Sequence, residues 1–123
     1  MKKKILLGLS GSVACSKAEL FVIQNSEKFE FKLLSTHSGL NYLSEEFIKS
    51  NNIYSDWSEL SGSPHIELAR WADEIIIYPA SANLISKISS GIADDLLTST
   101  ILMFSKPIYI CPAMHEEMYM NSE

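Results

Sequence analysis

The chain has 123 residues, 46% of them hydrophobic and 20% charged, enough apolar content for one core and little for a second module. A formal net charge of −5 speaks against nucleic-acid binding, which relies on clustered Lys and Arg to neutralise phosphates, and favours small-molecule chemistry. The basic start Met1-Lys2-Lys3-Lys4 leads into an apolar run that breaks at Ser10-Gly11-Ser12, too short for a secretory segment or a membrane span, so a cytoplasmic protein with no membrane partner is expected.

In chain order, an apolar strand over about 5–9 is followed by a helix from Ser12 to about Gln24, with Val13, Leu20, Phe21 and Ile23 as its apolar positions, and by a second strand from Phe31 to Ser35. Residues 39–50 read as one short helix carrying Leu40, Leu43, Phe47 and Ile48, and Asn51–Tyr54 as a short edge strand. A polar loop over 55–64 precedes a helix from about His65 to Ala72. The run Ile75-Ile76-Ile77-Tyr78 is apolar at every position, which a strand tolerates only when both faces of its sheet are covered. Pro79 is expected to stop that strand and Ser81 to cap a helix from Ala82 to about Ser90. Gly91 separates it from a further helix over Asp94 to about Phe104; a last strand, Ile108–Cys111, ends at Pro112, and a helix begins at Glu116–Met120. Strands alternating with helices predict a three-layer, doubly wound parallel sheet of the Rossmann or flavodoxin kind, built as a single domain over 1–123.

In such a sheet ligands bind beyond the carboxyl ends of the strands. The first strand runs into Gly8-Leu9-Ser10-Gly11-Ser12-Val13-Ala14, where glycines permit close backbone approach and hydroxyls beside a helix start can hold a phosphate. A dinucleotide fingerprint would add G-x-G-x-x-G and an acidic residue after the second strand; Ser35-Thr36-His37-Ser38 stands there instead, which disfavours NAD. Hydroxyls at Ser10, Ser12 and Thr36, with Ser81 and Asn83 after the central strand, suit a mononucleotide, although the same residue types are the usual helix caps. His65 opens its helix at the same edge of the sheet, as an acid, a base, a carboxylate binder or merely a solvated cap. Asp94 and Asp95 are adjacent, so on a helix they point apart and read as caps rather than a paired-carboxylate site. His115 reaches the carboxyl edge after the last strand, but no zinc-ligand spacing joins it to His37 or to Cys15 and Cys111, so no metal is expected and both cysteines read as core residues.

Three segments together carry a specific resemblance: His65-Ile66-Glu67-Leu68-Ala69-Arg70-Trp71-Ala72-Asp73; Pro79-Ala80-Ser81-Ala82-Asn83 running to Gly91-Ile92-Ala93-Asp94-Asp95-Leu96-Leu97-Thr98; and Pro112-Ala113-Met114 with Met118. With the less specific Gly8–Ala14 turn they make the chain resemble the homo-oligomeric flavin-containing cysteine decarboxylases, most closely the branch acting on 4'-phosphopantothenoylcysteine in coenzyme A biosynthesis. The resemblance implies an FMN-binding domain in which Gly8, Ser10, Gly11 and Ser12 lie near the phosphate, Thr36 follows the second strand, and Ser81, Asn83, Thr98, Ala113 and Met114 surround the flavin. It implies His65 as the essential histidine, FMN held between subunits of a homo-trimer or a multiple of trimers, and a lyase reaction in which oxidation at the cysteine sulfur gives a thioaldehyde that acts as the electron sink for loss of CO₂.

Two departures qualify the carry-over. His115 occupies the place of the family's substrate-contacting asparagine, which makes it a second candidate catalytic residue with a titratable side chain. The family's C-terminal flap and its reducing cysteine have no counterpart in these residues, so the expectation is that they bind FMN and complete the reductive half-reaction poorly or not at all. The competing readings are a peptidyl-cysteine decarboxylase of the lantibiotic type, which stops at the enethiol, and a flavin-binding or regulatory protein without catalysis.

Overall fold

A computed structural model describes residues 2–12, 14–55 and 62–112. Its elements follow in the order β1 (Lys3–Leu9), α1 (Cys15–Asn25), β2 (Phe29–Ser35), α2 (His37–Leu40), α3 (Glu45–Ser50), β3 (Ile53–Tyr54), α4 (Pro64–Trp71), β4 (Glu74–Ala80), α5 (Ala82–Ser90), α6 (Leu96–Met103) and β5 (Ile108–Pro112). The strands form one sheet in the order β3-β2-β1-β4-β5, and every neighbouring pair is parallel. The chain therefore builds outward from β1 on one side, returns, and builds outward again through β4. The place where it reverses lies between the carboxyl ends of β1 and β4.

The alternation of side chains along a strand divides the core in two. Leu7 and Leu9 of β1, with Ile76 and Tyr78 of β4, face the layer of α1 and α3, where Cys15, Ala18, Val22, Leu43 and Phe47 meet them. Leu6, Ile75 and Ile77 face the other way, against Leu68 and Ala72 on the α4 side, Leu84 of α5, and Leu96, Leu97 and Ile101 of α6. Each fully buried Leu or Ile contributes about 1.5–3 kcal/mol, so the continuous apolar run of β4 is stable only because helices cover both faces. Gly8 sits where α6 leans on the sheet: a Cβ there would come within 2.8 Å of Ile77 Cδ1 and 3.0 Å of Leu97 Cδ1. α6 is buried from Leu96 to Ile101, and Thr100 satisfies its hydroxyl inside the helix by donating to the Leu96 carbonyl at 2.8 Å.

Several expectations need correction. Pro79 does not stop β4; the strand runs to Ala80, with a cis Tyr78–Pro79 peptide and a register shift against β5 between Ile77 and Ala80 that absorbs the missing N–H. Pro112 likewise belongs to β5, paired with Ala80. The 39–50 segment is two helices, because Ser44 starts α3 afresh by accepting from the Phe47 N–H at 3.2 Å while its own N–H and hydroxyl donate to Glu19 of α1. α1 begins at Cys15, not Ser12, and turns Leu20 and Ile23 outward, 56% and 62% exposed. Its buried stripe is Cys15, Ala18 and Val22, since small side chains let the helix lie close to the sheet, and Phe21 stays half-buried in edge-on contact with Phe31 and Tyr78. Cys15 is a core residue as expected; Cys111, on the edge strand, is exposed. The helix expected at Glu116–Met120 lies outside the described residues, as does Val13. No helix among the described residues is long and apolar enough to cross a membrane.

Candidate functional site

The carboxyl ends of β1, β2 and β4 are tied together by hydrogen bonds that run through β1. The Thr36 N–H donates to the Leu9 carbonyl at 2.9 Å, fixing the end of β2. On the other side Ser10, 1% exposed, donates from its hydroxyl to the Pro79 carbonyl at 2.7 Å and accepts from the Ser81 N–H at 2.8 Å. Its backbone N–H also donates to Pro79, at 3.2 Å. Ser10 is thus the joint between β1 and the turn that starts α5. It can be satisfied there because a serine hydroxyl donates once and accepts in the same small volume.

Around this joint a cleft of about 290 Å³ opens at the reversal of strand order. Ser10 and Ser81 border it between the two strands, and Thr36, His37 and Ser38 come from the end of β2 and the start of α2. Asn83, Leu84 and Lys87 of α5, with Asp94 and Asp95 before α6, complete the lining. Gly11 lets two walls meet, for a Cβ there would lie 2.8 Å from the Ser38 hydroxyl. Thr36 caps α2 by accepting from the Gly39 N–H at 3.1 Å, and Ser81 caps α5 by accepting from the Leu84 N–H at 3.2 Å. Ser12 accepts from the Ala14 N–H at 3.1 Å and, like Gly8 and Gly11, does not itself line the cleft.

The acidic end of the lining is ordered by the same logic. Asp95 and Thr98 form a reciprocal capping box at the start of α6: the Thr98 N–H donates to Asp95 Oδ1 at 2.8 Å and the Asp95 N–H donates to Thr98 Oγ1 at 3.1 Å. Thr98, 2% exposed, is therefore a capping residue that lines no part of this cleft. Gly91 ends α5 in the left-handed region (φ +70°), its N–H and that of Ile92 donating to the Ile88 and Lys87 carbonyls. That tight return lays Asp94 over the last turn of α5, where it grips the Lys87 ammonium with both oxygens, at 3.2 and 3.1 Å.

His65 stands half-buried one residue into α4, behind Pro64, and is not among the residues lining the cleft of its own chain. Ala113, Met114 and His115 lie outside the described residues. Sequence reasoning had singled out neither His37 nor Lys87 for this cleft, and had given Asp94 and Asp95 only capping roles. The first position of the helix that follows β2 at the ligand edge marks His37, and a basic residue in a last helical turn followed by Gly and Asp marks the Lys87–Asp94 pair. Cys15 keeps its thiol out of the cleft, donating to the Ser10 carbonyl at 3.3 Å; burial pushes that thiol above its ordinary range, with a backbone hydrogen bond from Ser12 opposing and Glu19 assisting. Among the described residues no group of His, Cys, Asp and Glu could hold a metal ion.

A three-layer parallel sheet with a hydroxyl- and amide-lined cleft at the reversal of strand order defines a Rossmann-like α/β domain of the flavoprotein decarboxylase type. The comparison with known families places it further: the chain belongs to the flavoprotein family, whose model matches residues 1–123. It is 41% identical over 130 residues to an Arabidopsis thaliana protein named "Probable phosphopantothenoylcysteine decarboxylase", covering 98% of this chain and 65% of that one. Among solved structures it is similar to a cysteine-to-serine variant of PPC decarboxylase complexed with pantothenoylaminoethenethiol, at 35% identity and a TM-score of 0.86, covering 98% of this chain and 72% of the other. It is similar also to the FMN-binding protein AtHal3, at 36% identity and a TM-score of 0.87, with 98% and 71% covered.

Proposed function

We propose that the cleft holds FMN and that the protein decarboxylates a C-terminal cysteine moiety, with 4'-phosphopantothenoylcysteine as substrate. The observation that carries this reading is the donor and acceptor set at the strand reversal: Ser10, Thr36, Ser38, Ser81 and Asn83 offer hydroxyls and an amide, with no carboxylate at the end of β2 to select a dinucleotide ribose. Such a set suits a phosphate and a chain of ribityl hydroxyls, and Gly11 lets Ser38 come close enough to stand in that wall. FMN, when bound, supplies the two-electron redox chemistry. The protein's part is to orient the ligand, exclude water and manage a proton.

A volume of about 290 Å³ lies just below the range of about 300–1,000 Å³ typical of small-molecule sites, in keeping with one chain embracing only part of a flavin nucleotide. The remainder is supplied by a second copy in a trimer or a multiple of trimers, and His65 serves the neighbour's cleft rather than its own. Exposed Ile92, Leu102 and Met103 on and beside α6 support that assembly, since apolar side chains grouped on a surface favour burial against a partner. His115 is assigned the place of a substrate-contacting amide, and Ala113 and Met114 a place beside the flavin.

The test is an absorption spectrum of the purified protein followed by mass spectrometry after incubation with phosphopantothenoylcysteine. Flavin bands together with loss of CO₂ from the substrate are expected. A yellow protein that leaves the substrate intact reduces the reading to flavin binding, and protein that neither retains nor takes up FMN removes it.

A further inference from the structure

The cleft wall holds an ion pair, Lys87 with Asp94, that takes no part in capping α6, since the cap is Asp95. Among the described residues lining the cleft, Lys87 is the one lysine or arginine, paired with Asp94, while the Asp95 carboxylate caps α6 through Thr98. With His37 neutral the lining therefore carries a net charge of −1, which opposes entry of a phosphate dianion unless the ammonium turns toward it. The hydroxyls nearby are neutral: Ser10 spends its O–H on the Pro79 carbonyl, while Thr36 and Ser81 accept from the Gly39 and Leu84 N–H groups and can donate to a ligand without bringing it a compensating charge.

Both oxygens of Asp94 hold the Lys87 ammonium, and the Gly91 turn fixes Asp94 in that place, so the long lysine side chain is ordered before any ligand arrives. The pair is also partly open to solvent, with side chains 27% and 52% exposed, so its attraction is screened and the ammonium can exchange one anion for another at little cost.

We propose that Lys87 is the cleft's receptor for a phosphate monoester, kept aligned by Asp94 and released to the ligand's phosphate on binding. The inference rests on the reading of the cleft as a flavin nucleotide site and extends it to a residue that sets specificity. The phosphate monoester belongs either to the cofactor or to the substrate, and these sources separate experimentally.

Two ligand pairs test it. Apoprotein is titrated with FMN and with riboflavin by quenching of flavin fluorescence, and FMN-loaded protein is assayed for KM with cysteine substrate carrying or lacking its phosphate. Wild-type protein should prefer the phosphorylated member of at least one pair. Lys87→Gln should remove about tenfold or more of that preference, the scale of one charge-assisted hydrogen bond, while the unphosphorylated member changes by less than about twofold. Lys87→Arg, which keeps a cation, should retain the preference, and Asp94→Asn, which removes the competing anion, should keep or raise it. Loss of preference in the flavin pair assigns the cofactor's phosphate, and loss in the KM pair assigns the substrate's. An unchanged preference in both pairs, or equal weakening of phosphorylated and unphosphorylated ligands, overturns the proposal. Wild-type protein that binds neither FMN nor riboflavin overturns the reading of the cleft itself, an outcome distinct from a flavin-binding protein indifferent to Lys87.

Discussion

Replacing Ser10 with alanine should cost more stability than any surface change, and for a reason visible in three hydrogen bonds. The hydroxyl donates to the Pro79 carbonyl at 2.7 Å and accepts from the Ser81 N–H at 2.8 Å in a site 1% exposed. Pro79 keeps the bond from the Ser10 backbone at 3.2 Å, so its carbonyl is not orphaned, but the Ser81 N–H loses its acceptor. Two lost bonds at about 1 kcal/mol each, one leaving a donor unsatisfied, sum to about 2–4 kcal/mol. Against a total of about 5–15 kcal/mol for a domain of this kind, that is a large fraction. Urea unfolding should show a lowered midpoint at unchanged slope, and thermal unfolding a fall of about 10 °C. Ser81 also caps α5, the wall that carries Asn83 and Lys87, so FMN affinity should fall with stability. A loss of less than about 0.5 kcal/mol would refute the claim that Ser10 joins the two halves of the sheet. A large loss with undiminished FMN affinity would refute its extension to the cleft.

Gly91→Ala should destabilise by about 1 kcal/mol purely through the backbone, since φ is +70° and nothing lies within 4 Å of the added methyl; Gly91→Asn should cost less, and equal unfolding midpoints for the two would count against a left-handed cap. Asp95→Ala removes the half of the capping box in which the side chain accepts from the Thr98 N–H, while the backbone N–H at 95 can still donate to the Thr98 hydroxyl, and should cost about 1 kcal/mol in chemical unfolding, with Asp95→Asn recovering most of it. A thiol reagent should modify exposed Cys111 rapidly and buried Cys15 only on unfolding, and two equally fast thiols in the native state would contradict the placement of α1. Because burial raises the folded pKa of Cys15, its neutral thiol contributes stability that is complete below the unfolded value, about 8.5, and is lost as pH rises toward the folded one. Cys15→Ser should flatten the alkaline arm of the unfolding midpoint against pH, whereas an unchanged slope would place the alkaline loss in other groups.

Local pattern made the alternation of strands and helices legible, because hydrophobic period and cap chemistry act within a few residues. The uniformly apolar Ile75–Ile77 announced a strand covered on both faces, Ser81 announced its helix, and Gly91 its end. Where a distant residue supplied the partner, the pattern misled. Pro79 looked like a stop because its missing N–H could be seen, while the shifted register against β5 and the bonds from Ser10 that accommodate it could not. Leu20 and Ile23 looked buried because they are large, yet the space between α1 and the sheet admits Ala18 and Cys15.

The candidate site divides along the same line. Ser10, Thr36, Ser81 and Asn83 could be named from sequence because each directly follows a strand or opens a helix, and in a doubly wound sheet those positions converge. That the Thr98 hydroxyl is held by Asp95, that His37 and Lys87 share one cleft, and that His65 lies off it are consequences of how layers pack. Short-range periodicity fixes which residues become strand, turn and cap. Only the closing of two helical layers over the sheet decides which polar groups are already satisfied and which are left for a ligand, because that depends on atoms brought together from distant parts of the chain.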